Sequence, residues 1–242
     1  MNWTTCILVA ACLVLIGCDE TNYYSQQNTP TPNQVTPIPV YGPKVLDYDF
    51  ESVVGAEIPD RSENHMDMLV TGCTRAAGKV GMALSCGQYG SAIIKNGSPD
   101  LIRHIKNNVA VSIQFWLNYS DASGTQSTLL ELGGAYVQIA NGMLHFLPNY
   151  PIDLQLNTPL SAGTWYNIAI TFDGSITRFY LNGVLVQTYD VISPLGYESS
   201  DSEISLFPNY YEGKLSATLD SFRVYDVILT EEQILESFVN ES

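Results

Sequence analysis

The sequence predicts an all-β fold with one short helix near its C-terminal end. Within residues 163–186, three apolar-rich runs are joined by Asp173-Gly174 and Asn182-Gly183. Asn, Asp and Gly tolerate the positive φ angles of two-residue hairpin turns, so this segment is predicted to form a three-stranded antiparallel meander. Elsewhere after Lys44, short apolar runs alternate with clusters of turn residues, a pattern typical of β-sandwiches and barrels.

Further apolar runs predict the remaining strands. These span residues 45–50, 82–84, 91–95, 109–117, 128–132, 136–140, 143–147, 203–207 and 214–225. In the first of them, Leu46, Tyr48 and Phe50 occupy alternate positions and are therefore expected on one face.

The only helix that the sequence predicts strongly begins near Thr230. Residues 230–233 read Thr-Glu-Glu-Gln, a capping box in which the Thr and Gln side chains each satisfy a backbone N–H group. Ile234, Leu235 and Phe238 follow at helical spacing. They predict an apolar face that packs on the sheets.

The first residues are predicted to be a targeting segment. The apolar run from Cys6 to Ile16 is too short for a comfortable transmembrane helix. It ends in Leu15-Ile16-Gly17-Cys18, which resembles the lipobox of bacterial lipoproteins. The resemblance implies that residues 1–17 are a signal peptide and that Cys18 is lipidated. An ordinary secretory signal or an uncleaved anchor is the alternative.

Residues 18–43 are predicted to be a flexible tether. They are poor in aliphatic residues and rich in Thr, Asn, Gln and Pro, with prolines at positions 30, 32, 37, 39 and 43. Proline favours extended polyproline II conformation and interrupts regular strand ladders. The sequence therefore predicts a folded domain over residues 44–242, lipid-anchored in a bacterial cell envelope on its periplasmic or surface side.

The acidic composition argues against nucleic acid as a partner. The formal net charge is −15 at pH 7, and charged residues make up only 14% of the chain. Such a surface repels phosphate backbones and anionic lipid headgroups. It is typical of a soluble exported protein, and it also favours hard cations.

Cysteine usage agrees with export. If Cys6 and Cys12 leave with the signal and Cys18 carries lipid, then Cys73 and Cys86 remain as a pair. In an oxidising compartment an even pair predicts a disulfide, here between neighbouring strands. Two buried thiols are the alternative.

The order of motifs resembles the laminin G-like, pentraxin-like branch of the concanavalin A-like lectin/glucanase superfamily. The motifs that carry the resemblance are Tyr48-Asp49-Phe50-Glu51, Asp60, residues 78–84 (Gly-Lys-Val-Gly-Met-Ala-Leu), residues 111–116, Trp165 to Ala169, Tyr180 to Gly183, Gly213, residues 219–225 (Leu-Asp-Ser-Phe-Arg-Val-Tyr) and residues 229–234. The resemblance implies a jelly-roll sandwich of two antiparallel sheets. Members of the superfamily mostly bind carbohydrates or proteins, sometimes with calcium.

Acidic residues near the first strand make structural calcium a further expectation. Asp47, Asp49 and Glu51 alternate along the predicted strand, which places their carboxylates on one side. The resemblance brings Asp220 toward this region and implies an ion held near Glu51, Asp60 and Asp220. Calcium prefers such oxygen ligands. The alternative is a solvated strand face, with Asp220 accepting hydrogen bonds from backbone amides.

Two similar segments are the candidate ligand-binding elements. Each follows a predicted strand and carries Pro-Asn-Tyr, at residues 148–150 and 208–210. Tyrosine rings stack on the C–H faces of sugars, and Asn offers both a donor and an acceptor. The predicted ligand-binding residues are Asn149, Tyr150, Asn209, Tyr210 and Tyr211. The alternative is that both segments are structural turns.

The sequence lacks the residues that hydrolysis would need. The glucanases of the superfamily carry Glu-x-Asp-x-x-Glu on one strand, and this string is missing. The nearest acid on a comparable strand is Glu131. The sequence therefore predicts a non-catalytic binding module, most simply one that recognises carbohydrate. A protein-binding adhesion or envelope-complex component and a diverged glycoside hydrolase are the alternatives.

Overall fold

The structure is a computed structural model that describes residues 44–52, 56–94, 101, 105, 110–124, 127–190, 192–196, 203–208 and 213–242. Its elements are β1 (Lys44–Tyr48), β2 (Glu57–Ile58), β3 (Met68–Ala77), β4 (Met82–Ile94), β5 (Val111–Gly124), β6 (Ser127–Leu132), β7 (Ala135–Ala140), β8 (Met143–Leu147), β9 (Leu154–Gln155), β10 (Tyr166–Phe172), β11 (Ile176–Leu181), β12 (Val184–Asp190), β13 (Ile204–Leu206), β14 (Gly213–Tyr225) and α1 (Glu231–Asn240). The predicted cleavage site, Cys18 and the tether over residues 18–43 lie outside the described residues.

The strands form two antiparallel layers. The first layer has the order β12-β11-β10-β5-β14. On the side of β14 away from β5, β1 pairs with residues 222–225 and the start of β4 pairs with residues 217–219. The second layer continues from the end of β4 through β13, β6, β7, β8 and β9. The hairpin of β3 and β4 runs through both layers. This arrangement confirms the predicted all-β jelly-roll sandwich with one short C-terminal helix.

The core lies between the two layers. Phe146 of β8 meets Phe172 of β10 edge to face, with ring centroids 5.9 Å apart. Leu46, Tyr48 and Phe50 are fully buried, which confirms that the three share an inward face. Burying one such large side chain stabilises the fold by about 2–3 kcal/mol relative to leaving it in water.

The predicted disulfide is present, and it lies where the β3–β4 hairpin passes from one layer to the other. Cys73 pairs with Cys86 in register and through the sulfur–sulfur bond. Between this pair and the next paired residues, Thr71 and Ser91, β3 has only Gly72 whereas β4 has residues 87–90. The extra residues of β4 form a bulge that bends the hairpin. A β-carbon on Gly90 would lie 2.7 Å from the Cys73 sulfur, so the bulge requires glycine there.

Helix α1 begins with the predicted capping box and packs on the outer face of the first layer. The Thr230 side chain accepts from the Gln233 amide, and the Gln233 side chain accepts from the Thr230 amide. Ile234 is buried and the Phe238 ring contacts Trp116, with centroids 5.6 Å apart. The prediction was wrong for Leu235, which is 46% exposed. Leu235 lies beside Gly183, at the edge of the first layer rather than over its centre.

Several strand predictions differ from the structure. The two-residue strands β2 and β9 were not predicted, and β1 ends at Tyr48 rather than at Phe50. Residues 82–84 and 91–95 were predicted as separate strands, but β4 is one strand that continues through the bulge. Strand β3 was not predicted, because residues 70–77 carry small and polar side chains with no regular apolar alternation. Most of its side chains are exposed, so burial placed little constraint on the sequence there.

No helix within the described part of the chain is long and apolar enough to span a membrane.

Candidate ligand-binding rim

The loops of the sandwich collect at its two ends. At one end the turn between β6 and β7 meets Glu203, whose carbonyl oxygen accepts from the Gly133 amide at 2.9 Å. The Gly196 amide donates to the carbonyl of Pro148 at the same end. We call this end the Tyr150 rim, formed by residues 133–134, 148–152 and 194–196. Lys44 also lies at this end, since it pairs with Tyr225 at the last residues of β14.

The turn after β8 is the most exposed part of the Tyr150 rim. The Ile152 amide donates to the Asn149 carbonyl at 2.8 Å, which closes the turn. The peptide bond between Tyr150 and Pro151 is cis. The Tyr150 side chain is 72% exposed, and Asn149 beside it is half-buried. The turn therefore presents a flat aromatic ring and a neighbouring amide to solvent.

Strand β13, which precedes the second Pro-Asn-Tyr segment in sequence, ends toward the opposite end of the sandwich. Across the second layer, Leu206 of β13 lies level with Phe146 of β8, and these two strands run in opposite directions. The chain that follows Leu206 therefore exits away from the Tyr150 rim. Asn209, Tyr210 and Tyr211 lie outside the described residues. The described backbone does not start the two segments on a shared rim.

A row of polar side chains crosses the outer face of the second layer next to the rim. Ser205 of β13, Glu131 of β6 and Tyr136 of β7 are neighbours in register. Glu131 is only 7% exposed. The Ser205 hydroxyl is buried and has no hydrogen-bond partner among the described residues. At the level of Glu131 the flanking strands supply a hydroxyl and a phenol, so the described row holds one carboxylate rather than the pair that glycoside hydrolysis uses.

A second polar row lies farther from the rim. His145 Nδ1 is 2.9 Å from Asp153 Oδ1, and Gln138 Nε2 donates to Thr128 Oγ1 at 3.1 Å. Within the part of the chain that the structure describes, the buried Gln138 side-chain oxygen has no hydrogen-bond partner. Tyr136 and Gln138 were not among the predicted site residues. Their alternation with the buried positions of β7 is a signal from which their outward direction could have been inferred.

Two of the acids predicted to bind calcium meet at one turn. Residues 78–81 join β3 to β4, and the Val80 amide donates to Asp220 Oδ2 at 2.9 Å. The Met82 amide donates to Glu51 Oε1, also at 2.9 Å. Burial raises the pKa of the Asp220 carboxyl, and hydrogen bonds from backbone amides partly offset that rise. Both carboxylates thus hold the turn, which matches the alternative considered for Asp220.

Asp60 serves a different part of the backbone. Its buried carboxylate accepts from the amides of Asp47, Ser62 and Met66 at 2.9, 2.9 and 3.0 Å. The Ser62 hydroxyl adds a further hydrogen bond of 2.7 Å. Such a network fixes the segment between β2 and β3 against β1, because each buried amide that it satisfies would otherwise lack a partner.

The acids of the first strand do not share one side as predicted. Strand β1 ends at Tyr48, and Phe50 has a left-handed backbone with φ of 59°. This conformation breaks the alternation before Glu51. Asp47 pairs with Lys44 at 2.5 Å, and Asp49 pairs with Arg61. Across the described ranges no group of three His, Cys, Asp or Glu side chains is arranged to hold a metal ion. Calcium binding at Glu51, Asp60 and Asp220 stays a prediction.

The two-layer antiparallel topology defines the chain as a jelly-roll β-sandwich protein. The family described as the concanavalin A-like lectin/glucanases superfamily matches residues 92–235, more than half of the sequence. The chain belongs to this superfamily. A search of curated protein sequences found no match.

Similar solved structures support the same fold. The binding domain of Paraclostridial Mosquitocidal Protein 1 superimposes with a TM-score of 0.62 at 18% identity, over 81% of this chain and 52% of that one. Domain 4 of AbnA, an extracellular arabinanase from Geobacillus stearothermophilus solved with arabinotriose, gives a TM-score of 0.63 at 16% identity, over 81% and 98%. A structure of botulinum neurotoxin type C, a toxin whose cell entry depends on interaction with two ganglioside molecules, superimposes with a TM-score of 0.61 at 16% identity. The match covers 83% of this chain and 51% of that one.

The coverage of these neighbours differs. The chain spans about half the length of the two toxin structures, and nearly all of the arabinanase domain. At these identities the likeness establishes the shared fold.

Proposed function

We propose that the protein is a non-catalytic carbohydrate-binding module of a bacterial cell envelope, with the Tyr150 rim as its sugar-contacting surface. The observation that carries this proposal is the exposure of Tyr150, at 72%, beside the Asn149 amide on a closed turn. Structural neighbours solved with arabinotriose or described as dependent on gangliosides support a binding role for this sandwich.

The chemistry of the turn suits a sugar. An aromatic ring held away from the core stacks on the C–H face of a pyranose, and a neighbouring amide can both donate to and accept from hydroxyl groups. Because a single ring buries little area, a dissociation constant near millimolar is expected, about 4 kcal/mol of binding free energy. Repeated sugar units on a polysaccharide raise the apparent affinity through multivalency.

The test is retention of the purified protein on a polysaccharide and glycan panel, with and without calcium. We expect Tyr150→Ala to lose retention while its melting temperature stays near that of the wild type. The matched control is Tyr89→Ala, because Tyr89 is 68% exposed in the β4 bulge at the other end of the sandwich. Equal loss of retention in both variants, or none in either, would contradict a sugar site at the Tyr150 rim.

The non-catalytic role is proposed from the single carboxylate of the polar row. Hydrolysis of a glycosidic bond normally uses two carboxyl groups on opposite sides of the bond. Glu131 is flanked by Ser205 and Tyr136 on the neighbouring strands. Turnover of a defined glycan that disappears in Glu131→Gln would contradict this assignment and favour a diverged hydrolase.

The envelope location is proposed from the residues around Cys18. The expected product is a chain cleaved before Cys18 and carrying palmitate or a similar acyl group there. Growth of bacteria expressing the protein with an alkyne fatty acid should label the wild type and not Cys18→Ser. Cys12→Ser is the control, since Val9-Ala10-Ala11-Cys12 fits the lipobox only loosely. Labelling that persists in Cys18→Ser would contradict the anchor.

A further inference from the structure

Strand β12 is an open edge of the first layer. It pairs with β11, and no strand of the described ranges pairs with its other side. Residues 184–190 read Val-Leu-Val-Gln-Thr-Tyr-Asp. Natural sheet edges are commonly protected by Lys, Pro, a bulge or a covering loop. This strand has neither Lys nor Pro, although its register with β11 shifts by one residue between Leu185 and Gln187. Gln155 and Asn157 contact the side chains of Tyr189 and Gln187 and leave the edge without a strand partner among the described residues. An added strand would pair with the backbone groups on either side of the register shift.

Apolar side chains surround this edge. Val184 is 59% exposed, and Leu185 and Val186 are also exposed. Helix α1 adds Leu235 and Val239, which are one turn apart on the helix, and Val239 is 60% exposed. The helix reaches the strand at Gly183, where an added β-carbon would lie 3.0 Å from Leu235 Cδ1. We call these five side chains the β12 edge patch.

The charge near the patch is negative. Glu231 and Glu232 stand exposed in the first turn of α1, one turn before Leu235. Burial raises the pKa of the Tyr180 hydroxyl, and Glu231 raises it further, so the carboxylate charge reaches the residue that pairs with Leu185. Arg178 of β11 opposes this effect in part. Asp190 ends the strand, and the whole chain carries a net charge of −15.

We propose that the β12 edge patch binds an extended, basic segment of a partner protein, which adds to the first layer as a further strand. Main-chain hydrogen bonds supply affinity in this mode, and alternate side chains supply specificity. Apolar residues of the segment contact the exposed valines and leucines, and its Lys or Arg residues lie near Glu231, Glu232 and Asp190. A second copy of this chain is disfavoured as the occupant, because it brings the same negative charge to the contact.

The probe for this proposal is a pair of nine-residue peptides whose terminal charges are removed by an N-terminal acetyl group and a C-terminal amide group. The basic peptide reads KVTVKVTVK and the acidic peptide reads EVTVEVTVE. Titration of the isotope-labelled protein should move amide resonances of residues 184–190 with the basic peptide. We expect the acidic peptide to bind at least tenfold more weakly, and added salt to weaken the basic peptide.

Variants localise the interaction. Val184→Lys and Val239→Lys should each weaken the basic peptide several-fold by adding like charge to the patch. Leu69→Lys is the matched control, because Leu69 is an exposed apolar residue on β3 and lies outside the patch. Sedimentation of the protein alone checks for a second copy as the occupant.

Four results would overturn the proposal. They are equal binding of the two peptides, no binding of the basic peptide at millimolar concentration, resonance changes away from β12, or a dimer that Val184→Lys dissociates. The carbohydrate proposal is tested separately by Tyr150→Ala, so either proposal can fail without affecting the other.

Discussion

The β3–β4 hairpin and the turn after β8 are held in very different ways. The hairpin is closed by the disulfide at its bend, and its tip is held by the carboxylates of Asp220 and Glu51. Lys79 of the tip also lies over the Trp116 ring, 4.9 Å from its centroid. The turn after β8 is closed by backbone hydrogen bonds and rests on the core through Ile152, and its largest side chain, Tyr150, faces solvent.

This difference separates residues that stabilise the scaffold from residues that are free to bind. A side chain with buried partners cannot be changed without loss of stability, whereas an exposed one can contact a ligand and contributes little to folding. The acids that resembled ligands in the sequence belong to the first group. Tyr150 belongs to the second.

The largest expected effect is that of removing the disulfide. The double variant Cys73→Ser, Cys86→Ser should lose about 3 kcal/mol of unfolding free energy, because the bond closes a loop with a sequence separation of 13. Urea unfolding measures the loss. Thr74→Ser, at an exposed neighbouring position, should change stability by less than about 0.5 kcal/mol. A double variant as stable as the wild type would mean that backbone pairing alone holds the hairpin.

The next effect tests the carboxylate at the hairpin tip. Asp220→Ala should lose about 2 kcal/mol, because it removes the acceptor of the Val80 amide and leaves a void where the fully buried Asp220 side chain lies. The same urea titration applies, with the exposed Asp190→Ala as the control at about 0.5 kcal/mol or less. A loss no larger than that of the control would show that the tip is held by other contacts.

Bound calcium would hold the tip of the β3–β4 hairpin more firmly still, and so widen its difference in stability from the turn after β8. If an ion binds near Glu51 and Asp220 at tenfold its dissociation constant, it stabilises the fold by about 1.4 kcal/mol. The prediction is that EGTA lowers the melting temperature of the wild type and leaves that of Glu51→Gln unchanged. A wild-type melting temperature that does not respond to EGTA would exclude a structural calcium of this size.

A smaller effect should appear in the pH dependence of stability. Burial raises the pKa of Asp220 in the folded state above its unfolded value, so the folded state binds more protons between these two values. The contribution of Asp220 to stability therefore falls as pH rises through that window. Asp220→Asn should gain stability relative to the wild type as pH rises above the ordinary pKa of an Asp carboxyl. Urea titrations at several pH values measure the unfolding free energy of the wild type and of Asp220→Asn. A difference between the two that does not change with pH would contradict this assignment.

The smallest expected effect is that of Tyr150→Ala on stability. Because the ring has few buried contacts, the change should be about 0.5 kcal/mol or less. Tyr119→Phe is the contrast, since its buried hydroxyl donates to the Leu160 carbonyl at 2.9 Å and its removal should cost about 1 kcal/mol. Thermal unfolding of both variants measures the difference. A Tyr150→Ala variant that loses more than Tyr119→Phe would place Tyr150 in the scaffold.

Much of the fold could be predicted because its signals are local. The dipeptides Asp173-Gly174 and Asn182-Gly183 require turns, and the capping box at Thr230 requires a helix start, whatever lies nearby. The disulfide followed from counting cysteines. The β3 strand could not be predicted in this way, since its place is fixed by pairing with β4 rather than by its own side chains.

The candidate site was harder to predict because it depends on the direction in which each strand runs through the sandwich. The repeated Pro-Asn-Tyr segments are alike in sequence, yet β8 and β13 run in opposite directions and carry them toward different ends. The partners of Asp60, Asp220 and Glu51 are mainly backbone amides, which no sequence motif marks. Only the assembled sandwich shows which acids are already engaged.

The position of Lys44 has a practical consequence. Strand β1 begins at the Tyr150 rim, and α1 starts near the same end, where the Leu229 amide donates to Ser112. The helix then runs away from the rim toward the Asn182-Gly183 turn. A sensor chip or bead coupled ahead of Lys44 would turn Tyr150 toward the support, whereas coupling through Ser242 would leave it facing the liquid.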